Sequence, residues 1–229
     1  MENREEYIEL KKINKNISLH KNLNLFKTDK AMIPLIIMIL RLIKKSDPYT
    51  FFHSKNVAYY SVELGKALNL SKKDCFSLYI GGLIHDVGKI KIPEEILNKP
   101  SPLTSEEYNI IKTHPEQGYE MLKNVPLLEK DEVLNMIRYH HERFDGEGYP
   151  AQLKGNQIPI AARIIAVADS FDAMTTNRVY RKRLDLEDAI NEIEKGKGTQ
   201  FDPYVAETFL NLLKQNKLEI KELNKKLIE

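Results

Sequence analysis

Apolar residues recur every three or four positions through most of this 229-residue sequence, and that periodicity constrains the fold more than any other feature. Between Met32 and Ile43, for example, the apolar positions define one face of a helix, which stops at the breaker Ser46-Asp47-Pro48. The few clusters of β-branched residues lie inside segments with the same spacing, and the sequence shows no internal repeat. It therefore predicts an all-α fold, a bundle of several helices.

Capping residues, glycines and prolines divide this pattern into separate helices. Ser71 is a good N-cap for a helix that runs to residue 86 and that Gly88 ends. Prolines break the stretch from Ile92 to Leu103, which we expect to be an ordered loop with Lys99 available to a ligand. The predicted helices cover about 30–46, 49–69, 71–86, 104–113, 115–123, 129–141, 159–172, 185–195 and 202–213, with a surface helix over about 218–229.

Charge, cysteine content and the N-terminus exclude several classes of protein. With 35 basic and 33 acidic residues, the chain has a net charge of +2 and no footprint of DNA or RNA binding. Cys75 is the only cysteine, which excludes an intramolecular disulfide and favours a reducing, intracellular setting. The longest apolar run, Ala31 to Leu40, falls well short of the roughly 20 residues that span a bilayer. No secretory signal is present, so we expect a cytoplasmic protein.

The same composition predicts one main domain. The apolar content of 42% is ample for a sizeable core, and 229 residues suit one fairly large domain. Residues 1–29 are polar and carry no motif with a clear chemistry, so we expect a linker or helix there. The main domain should therefore cover residues 30–229 and include the C-terminal surface helix.

Five of the six histidines lie at or near the ends of predicted helices. They are His53, His85, His114, His140 and His141. A single histidine in such a place is usually an ordinary polar residue. If the helix ends converge, however, five imidazoles together with Asp86 and Asp169 supply enough ligands for two divalent metal ions that share one carboxylate. Asp86 suits that shared position, since its two oxygens can bridge two ions while the adjacent His85 binds one.

Two further segments accompany these ligands. The loop after the histidine pair reads DGEGYP, and its glycines and terminal proline favour a tight, defined backbone path, as a loop folded around a site requires. Its residues of interest are Asp145, Gly146, Gly148, Tyr149 and Pro150. The next helix opens at Pro159 and has a small, apolar face suited to close burial, and it delivers Asp169 and Asp172.

Taken together, these segments resemble the HD-GYP family, a branch of the HD superfamily of metal-dependent phosphohydrolases. The resemblance covers roughly Asp47 to Leu210. It is carried by DPYT at 47–50, HS at 53–54, HDVGKIKIP at 85–93, ILNKP at 96–100, HPEQG at 114–118, HHERFDGEGYP at 140–150, IP and AR at 158–163, ADSFDAM at 168–174 and RVYR at 178–181. So many long motifs in order make chance similarity negligible.

The resemblance implies an α-helical enzyme that hydrolyses the bacterial second messenger cyclic di-GMP to pGpG, and in many members onward to GMP. By motif, the first metal would be held by His53, His85, Asp86 and Asp169, and the second by Asp86, His114, His140 and His141. Lys89 matches the family's site lysine, and Arg178 and Arg181 match positions that contact the ligand's phosphates. Without the family, these two arginines would be interpreted as solvated charges.

The resemblance also implies a mechanism and a cofactor. A water that bridges two metals would lose a proton, and the resulting hydroxide would attack phosphorus while the metals and Lys89 neutralise phosphoryl charge. No protein nucleophile is required. The mixed shell of imidazoles and carboxylates suits iron, manganese or zinc, and the family favours iron or manganese.

The sequence departs from the family's pattern at two positions. Some members carry an acidic residue four positions before the first ligand histidine and hold a third metal there, whereas this chain has Tyr49. We therefore hypothesise a two-metal site. At the other position, Asn56 replaces a common arginine, and we assign this change no consequence.

Two alternatives to a cyclic di-GMP phosphodiesterase stay open. The chain could act on a related cyclic dinucleotide, because nothing in the residue spacing identifies guanine. It could also be a slow or inactive receptor that binds the nucleotide or a partner protein, although the complete ligand set argues against this interpretation. Family members often follow a sensory or receiver domain, so a longer natural chain or such a partner is consistent with the sequence.

Overall fold

The structure, a computed structural model, describes residues 32–129, 132–177, 183–218 and 220. These residues form eleven α-helices and two short 3-10 helices, over Val87–Lys91 and Gly155–Gln157. The α-helices are α1 (Met32–Ser46), α2 (Pro48–Ala67), α3 (Lys72–Ile84), α4 (Glu94–Leu97), α5 (Ser105–Ile111), α6 (His114–Leu122), α7 (Pro126–Glu129), α8 (Val133–Tyr139), α9 (Ile160–Thr175), α10 (Leu186–Lys195) and α11 (Pro203–Lys214). Within the described residues there is one isolated β-bridge and no strand, which confirms the all-α prediction.

Side-chain caps set the beginnings of these helices. The Ser71 hydroxyl accepts a hydrogen bond from the Asp74 amide at the start of α3. Thr104 and Glu107 form a complete capping box at the start of α5, which satisfies two amides that the helix itself leaves unpaired. The Asp202 carboxylate accepts from two amides in the first turn of α11. Local sequence therefore determines where these helices begin.

Three details differ from the sequence prediction. The helix expected over 129–141 is observed as the shorter α8, Val133–Tyr139, and a separate short helix, α7, begins before it at Pro126, which fits the first turn of a helix. Gly88 does not end α3 but lies inside a 3-10 helix, where an added Cβ would be 1.9 Å from the His114 carbonyl oxygen. The segment 92–103 contains α4, and Lys99 is paired with Glu107 at 2.6 Å.

Some sequence predictions fall outside the described part of the chain. The N-terminal segment 1–29 lies there, as do Arg178, Arg181 and almost all of the expected surface helix over 218–229. The domain boundaries stay a prediction for the same reason. None of the helices that the structure describes is both long and apolar enough to cross a lipid bilayer.

The core places α2, α9 and α11 around three aromatic rings. Tyr60 and Phe171 meet edge to face with ring centroids 5.4 Å apart, and Phe171 meets Phe209 at 5.0 Å. All three side chains are fully buried. Such contacts add to the stabilisation from buried area. The packing fixes α2 against α9, the two helices that carry His53 and Asp169.

A pair of glycines fixes α3, which precedes His85. A Cβ at Gly82 would lie 2.5 Å from the Ala58 Cα of α2, and one at Gly81 would lie 2.3 Å from the Met136 sulfur of α8. At Gly82 the neighbouring atoms are backbone, so only glycine allows α3 and α2 to approach this closely. The C-terminal end of α3 is therefore held between the two helices that carry other predicted ligands.

Candidate metal centre

The structure brings the seven predicted metal ligands together in two adjacent groups. In each group, one possible ligand atom from every member lies within 4.8 Å of the others. The first group, here the His53 cluster, consists of His53, His85 and Asp169. The second group, here the His140 cluster, consists of Asp86, His114, His140 and His141. These residues come from α2, the end of α3, the start of α6, the end of α8, and α9.

Three of the imidazoles are oriented by backbone carbonyls. The Nδ1 atoms of His85, His114 and His140 lie 2.9 Å from Gly82 O, 2.7 Å from Ile111 O and 3.0 Å from Ile137 O, respectively. A carbonyl oxygen can only accept a hydrogen bond, so each Nδ1 carries the proton. In the neutral rings, the lone pair is therefore on Nε2, the atom that faces the site, and this is the tautomer that binds metal.

His53 is oriented instead by a side chain from another helix. Its Nδ1 lies 2.7 Å from Asp172 Oδ2, and its Nε2 faces Asp169 Oδ1 at 2.9 Å. Asn56 donates to the other oxygen of Asp172 at 2.8 Å, so both carboxylate oxygens of this fully buried residue have partners. Asp172 thus fixes the tautomer of His53 in the way the carbonyls fix the other rings.

Sequence reasoning gave no role to Asp172 or Asn56. A signal was present for the aspartate, since Asp172 lies three residues after Asp169 and so shares its face of α9. No local signal pointed to Asn56, because its partner belongs to a helix 116 residues further along the chain.

The two oxygens of Asp86 face different clusters. Oδ2 lies 3.4 Å from Nε2 of His85, whereas Oδ1 lies 3.1 Å from Nε2 of His114 and 3.9 Å from Nε2 of His140. The side chain is 2% exposed and follows α3 directly. The carboxylate therefore lies between the His53 cluster and the His140 cluster.

Several buried atoms in the centre lack a partner that would stabilise them. His85 Nε2 and Asp86 Oδ1 are buried without a hydrogen bond to any described residue. The Nε2 atoms of His114 and His140 lie 3.2 Å apart, although both present lone pairs when the rings are neutral. Lone pairs so close repel each other unless a cation lies between them. Neighbouring ligands of an ion bound at about 2.1 Å are about 3 Å apart, so the residues fit divalent metals.

Burial sets the charge states of the histidines. It lowers the pKa of His140 well below the usual value, and the neighbouring imidazoles lower it further. Burial and the neighbouring His114 lower the pKa of His141 to about 3. Both rings are therefore neutral near neutral pH, as metal ligation requires. In the metal-free protein, burial also lowers the pKa of His53, but hydrogen bonds to Asp169 and Asp172 outweigh it and raise the pKa well above its usual value.

The two carboxylates stay ionised. Burial raises the pKa of Asp86, but the Lys89 ammonium and the imidazole of His85 lower it more, so the pKa lies well below its usual value. Burial likewise raises the pKa of Asp169, and its contacts with His53 lower it well below the usual value. A pair of anionic carboxylates among imidazoles is a donor set that divalent cations prefer.

Lys89 places a cation directly against the centre. Its Nζ lies 2.7 Å from Asp86 Oδ2, and its side chain is 20% exposed. The 3-10 helix Val87–Lys91 places it one turn after Asp86. This helix packs tightly on the start of α6, since Gly88 leaves no room for a side chain beside His114. Lys89 is thus held at the edge of the centre with about a fifth of its side chain open to solvent.

The GYP loop, residues 145–150, lies beside His141. The ring of Tyr149 stacks on the ring of His141, with centroids 4.9 Å apart and planes at 26°. Arg143 pairs with Asp145 at 2.5 Å, and Gly146 has a φ of +88°, a left-handed conformation that glycine adopts easily. At Gly148, an added Cβ would lie 2.3 Å from the Arg143 amide nitrogen. The path of the loop therefore depends on its glycines.

A buried glutamate anchors the chain after this loop. Glu142 accepts hydrogen bonds from the amides of Ala151 at 2.6 Å and Leu153 at 3.0 Å. It is 3% exposed and follows His141 directly. The same residue thus joins the two ends of the loop, which holds Tyr149 against the imidazole of His141.

Comparison with known proteins identifies the fold. The model of the HD domain family matches residues 37–205. A cyclic di-GMP phosphodiesterase of Thermotoga maritima is 39% identical over 79% of this chain and 49% of its own length. A 3'3'-cGAMP-specific phosphodiesterase of Vibrio cholerae is 37% identical over 71% of this chain and 37% of its own length.

A solved structure shows the same fold. The HDGYP protein of Bdellovibrio bacteriovorus superimposes with a TM-score of 0.60 at 20% identity and covers 72% of this chain and 52% of that one. The chain spans half or less of the length of the curated relatives named above. The family match covers well over half of this chain and includes all seven residues of the two clusters. The chain therefore belongs to the HD domain family, in its HD-GYP branch.

Proposed function

We propose that this chain is a metal-dependent phosphodiesterase that hydrolyses cyclic di-GMP to pGpG, which in many members of the family is hydrolysed onward to GMP. The observation that carries this proposal is the pair of ligand clusters on either side of Asp86, with buried lone pairs directed into them. The relative from Thermotoga maritima, named for this activity, supports the choice of substrate. Acidic and imidazole donors around two ions are a typical arrangement for phosphodiester cleavage.

Asp86 is the proposed bridge between two ions. The first ion would be held by His53, His85, Asp86 and Asp169, and the second by Asp86, His114, His140 and His141. The opposite directions of the two Asp86 oxygens support this assignment. When bound, such ions supply Lewis acidity, which lowers the pKa of a coordinated water and neutralises charge on phosphoryl oxygens. Iron or manganese is the proposed metal, and zinc suits the same donors.

The remaining polar residues would bind and orient the substrate. Lys89 is partly exposed beside Asp86, so its ammonium can donate to a phosphoryl oxygen and stabilise the charge that develops there. Arg178 and Arg181 are proposed phosphate contacts on the strength of their motif, and they lie outside the described residues. The GYP loop, with Asp145, Gly146, Gly148, Tyr149 and Pro150, would cover the His141 side of the site and exclude water.

Two metal ions, not three, are proposed for this chain. Tyr49 stacks on His53, with ring centroids 5.8 Å apart, and its hydroxyl lies 2.9 Å from Thr176 Oγ1. An aromatic ring thus fills the position beside His53 where an acidic residue would supply a further ligand. Metal analysis of anaerobically purified protein should find two tightly held ions per chain, and three would contradict the assignment.

The direct test is an assay with defined metals. Protein loaded with iron under anaerobic conditions, or with manganese or zinc, is given cyclic di-GMP, and both pGpG and GMP are followed. Turnover that depends on metal and is lost in Asp86→Ala supports the proposal. Loaded protein that binds cyclic di-GMP tightly without turnover would instead indicate a receptor.

A second candidate substrate is a cyclic dinucleotide of mixed bases. The Vibrio cholerae relative, which is named for specificity towards 3'3'-cGAMP, is nearly as similar as the cyclic di-GMP enzyme. Rates with cyclic di-GMP and 3'3'-cGAMP measured side by side separate the two. The relatives are also longer than this chain, so we propose that a sensory or receiver domain, or a partner protein, accompanies it.

A further inference from the structure

A lysine lies between two tyrosine rings at the edge of the metal centre. The Nζ of Lys112 is 4.9 Å from the ring centroid of Tyr108 and 5.7 Å from that of Tyr149. Tyr108 and Lys112 belong to α5 and its C-cap, whereas Tyr149 belongs to the GYP loop. The group, here the tyrosine-lysine platform, thus joins two separate segments. Tyr149 connects it to the centre because its ring stacks on His141.

The backbone that carries each tyrosine of the platform is fixed within its own segment. Tyr108 directly follows Glu107, which closes the capping box of α5 and pairs with Lys99. Tyr149 is fixed by the close approach of Gly148 to the backbone of residues 142 and 143. A ligand that binds here therefore meets surfaces that are already arranged, which reduces the entropy cost of binding.

The platform is open to a ligand. Tyr108 is 48% exposed, although tyrosine is a large and partly apolar side chain. The Lys112 ammonium makes no ion pair with any residue that the structure describes, and it lies over the two tyrosine rings. An exposed aromatic face beside a cation without a carboxylate partner is suited to a nucleobase, because bases stack on aromatic rings and present acceptors at their edges.

We propose that the tyrosine-lysine platform binds one base of the substrate and selects guanine. Tyr108 provides the stacking surface, and Lys112 donates to the O6 and N7 atoms at the guanine edge. Adenine presents an acceptor at N7 but an amino donor at N6, so a lysine distinguishes the two bases. Tyr149 places the platform next to the centre, where the phosphodiester is cleaved. This inference rests on the proposed function and specifies how its substrate is recognised.

The test compares guanine and adenine ligands in the metal-loaded protein. KM is measured for cyclic di-GMP, and cyclic di-AMP is used as a competitor to give its inhibition constant. We expect Lys112→Met to raise KM for cyclic di-GMP by about 10-fold or more while changing the cyclic di-AMP constant little, which lowers the preference for guanine by about 10-fold. Hydrolysis of bis(p-nitrophenyl) phosphate, a diester without bases, should stay at the wild-type rate.

Matched variants separate this role from a structural one. Tyr108→Ala should weaken the binding of both cyclic dinucleotides by about 10-fold, because stacking is not specific for a base. Tyr108→Phe keeps the ring and should keep the affinity. Lys195→Met is the charge control, since Lys195 is 72% exposed on α10. A Lys112→Met variant that keeps the wild-type ratio between cyclic di-GMP and cyclic di-AMP would overturn the proposal, as would an equal loss for both.

The outcomes also distinguish this inference from the proposed function. If the wild-type protein binds cyclic di-GMP but does not hydrolyse it, the proposed function fails. Dissociation constants from calorimetry then replace KM. The ratio of the constants for cyclic di-GMP and cyclic di-AMP in Lys112→Met still tests the inference. If turnover is normal and the ratio does not change in the variant, only the inference fails. A wild-type protein that does not bind cyclic di-GMP overturns both.

Discussion

The His140 cluster orients imidazoles through backbone carbonyls, as His85 is also oriented, whereas His53 in the His53 cluster is oriented by a side chain. In the His140 cluster, His114 and His140 donate to carbonyls three or four residues earlier in the chain. In the His53 cluster, His53 depends on Asp172, a side chain 119 residues away. A carbonyl of the same helix end cannot be removed by substitution, whereas a carboxylate can. The two halves of one centre should therefore differ in their sensitivity to mutation.

The largest effect should come from Asp86, the proposed bridge between the ions of the two clusters. Asp86→Ala removes the proposed bridging ligand, so metal content should fall from two ions towards none. Turnover of cyclic di-GMP should fall by at least about 1,000-fold. Metal analysis and the product assay measure both effects. Asp188→Ala, an exposed aspartate in the first turn of α10, is the control, and an Asp86→Ala protein that keeps both ions would contradict the shared role.

Removal of Asp172 should separate the two clusters. Asp172→Ala leaves His53 Nδ1 without its acceptor, and the ring loses its fixed tautomer. We expect the ion of the His53 cluster to bind about 10- to 100-fold more weakly, while the ion of the His140 cluster keeps its affinity. Titration with cobalt, followed by absorption and calorimetry, resolves the two sites. Asp172→Asn retains an acceptor, so its affinity for the ion of the His53 cluster should fall less. An equal loss of affinity at both sites would contradict the difference between the two clusters.

The clusters should also respond in opposite directions to pH in chelator-treated protein. Folded His141 stays neutral down to about pH 3. Unfolded histidine binds a proton near pH 6.5, so the unfolded state takes up more protons below that pH and stability falls. From pH 6.5 to pH 5, the loss from His141 should be about 2 kcal/mol. The pKa of His53 is raised in the folded state, so the protonated ring stabilises the fold. This contribution is lost at higher pH, as the pH rises through the raised pKa.

Urea denaturation at pH 6.5 and pH 5 measures this difference. His141→Gln should remove about 2 kcal/mol of the pH dependence between these two values. His53→Gln should leave that dependence in place, since His53 is protonated in both the folded and unfolded states below pH 6.5. A His141→Gln protein with the wild-type pH dependence would show that the folded protein does not hold this ring in its neutral form.

The smallest effect concerns Asn56. Asn56→Ala leaves Asp172 Oδ1 without the amide that donates to it, which should cost about 1–2 kcal/mol of unfolding free energy. The affinity for the ion of the His53 cluster should fall less in Asn56→Ala than in Asp172→Ala. Denaturation and cobalt titration test both expectations. A larger loss of unfolding free energy or of metal affinity in Asn56→Ala than in Asp172→Ala would contradict this prediction, because Asn56 is proposed to act on His53 only through Asp172.

Much of the fold could be predicted from sequence because its signals are local. Ser71, Thr104 and Asp202 cap helices where the pattern predicts a start, since a cap acts within three residues of itself. Gly88 was misinterpreted for the opposite reason. A glycine near the end of an apolar run predicts a helix terminus, but its actual requirement is contact with His114, which the local pattern does not contain.

The candidate site divides in the same way. The histidines at helix ends and their family motifs predicted all seven members of the two clusters, because each residue carries its own chemistry in its type and motif. The pairing of Asp172 with His53 and Asn56, and the position of Lys112 between two tyrosines, could not be inferred from spacing. These contacts join segments from different parts of the chain.

The sequence by itself therefore determined the helical class, the helix starts, the family and the candidate ligands, all of which depend on residue type and short-range spacing. Only the tertiary structure decided which cluster each ligand joins, which nitrogen of each imidazole faces the metal centre, and which residues surround the edge of that centre. The physical reason is that ligand geometry depends on distances of about 3 Å between side chains of separate helices. Core packing, such as that around Tyr60 and Phe171, sets these distances.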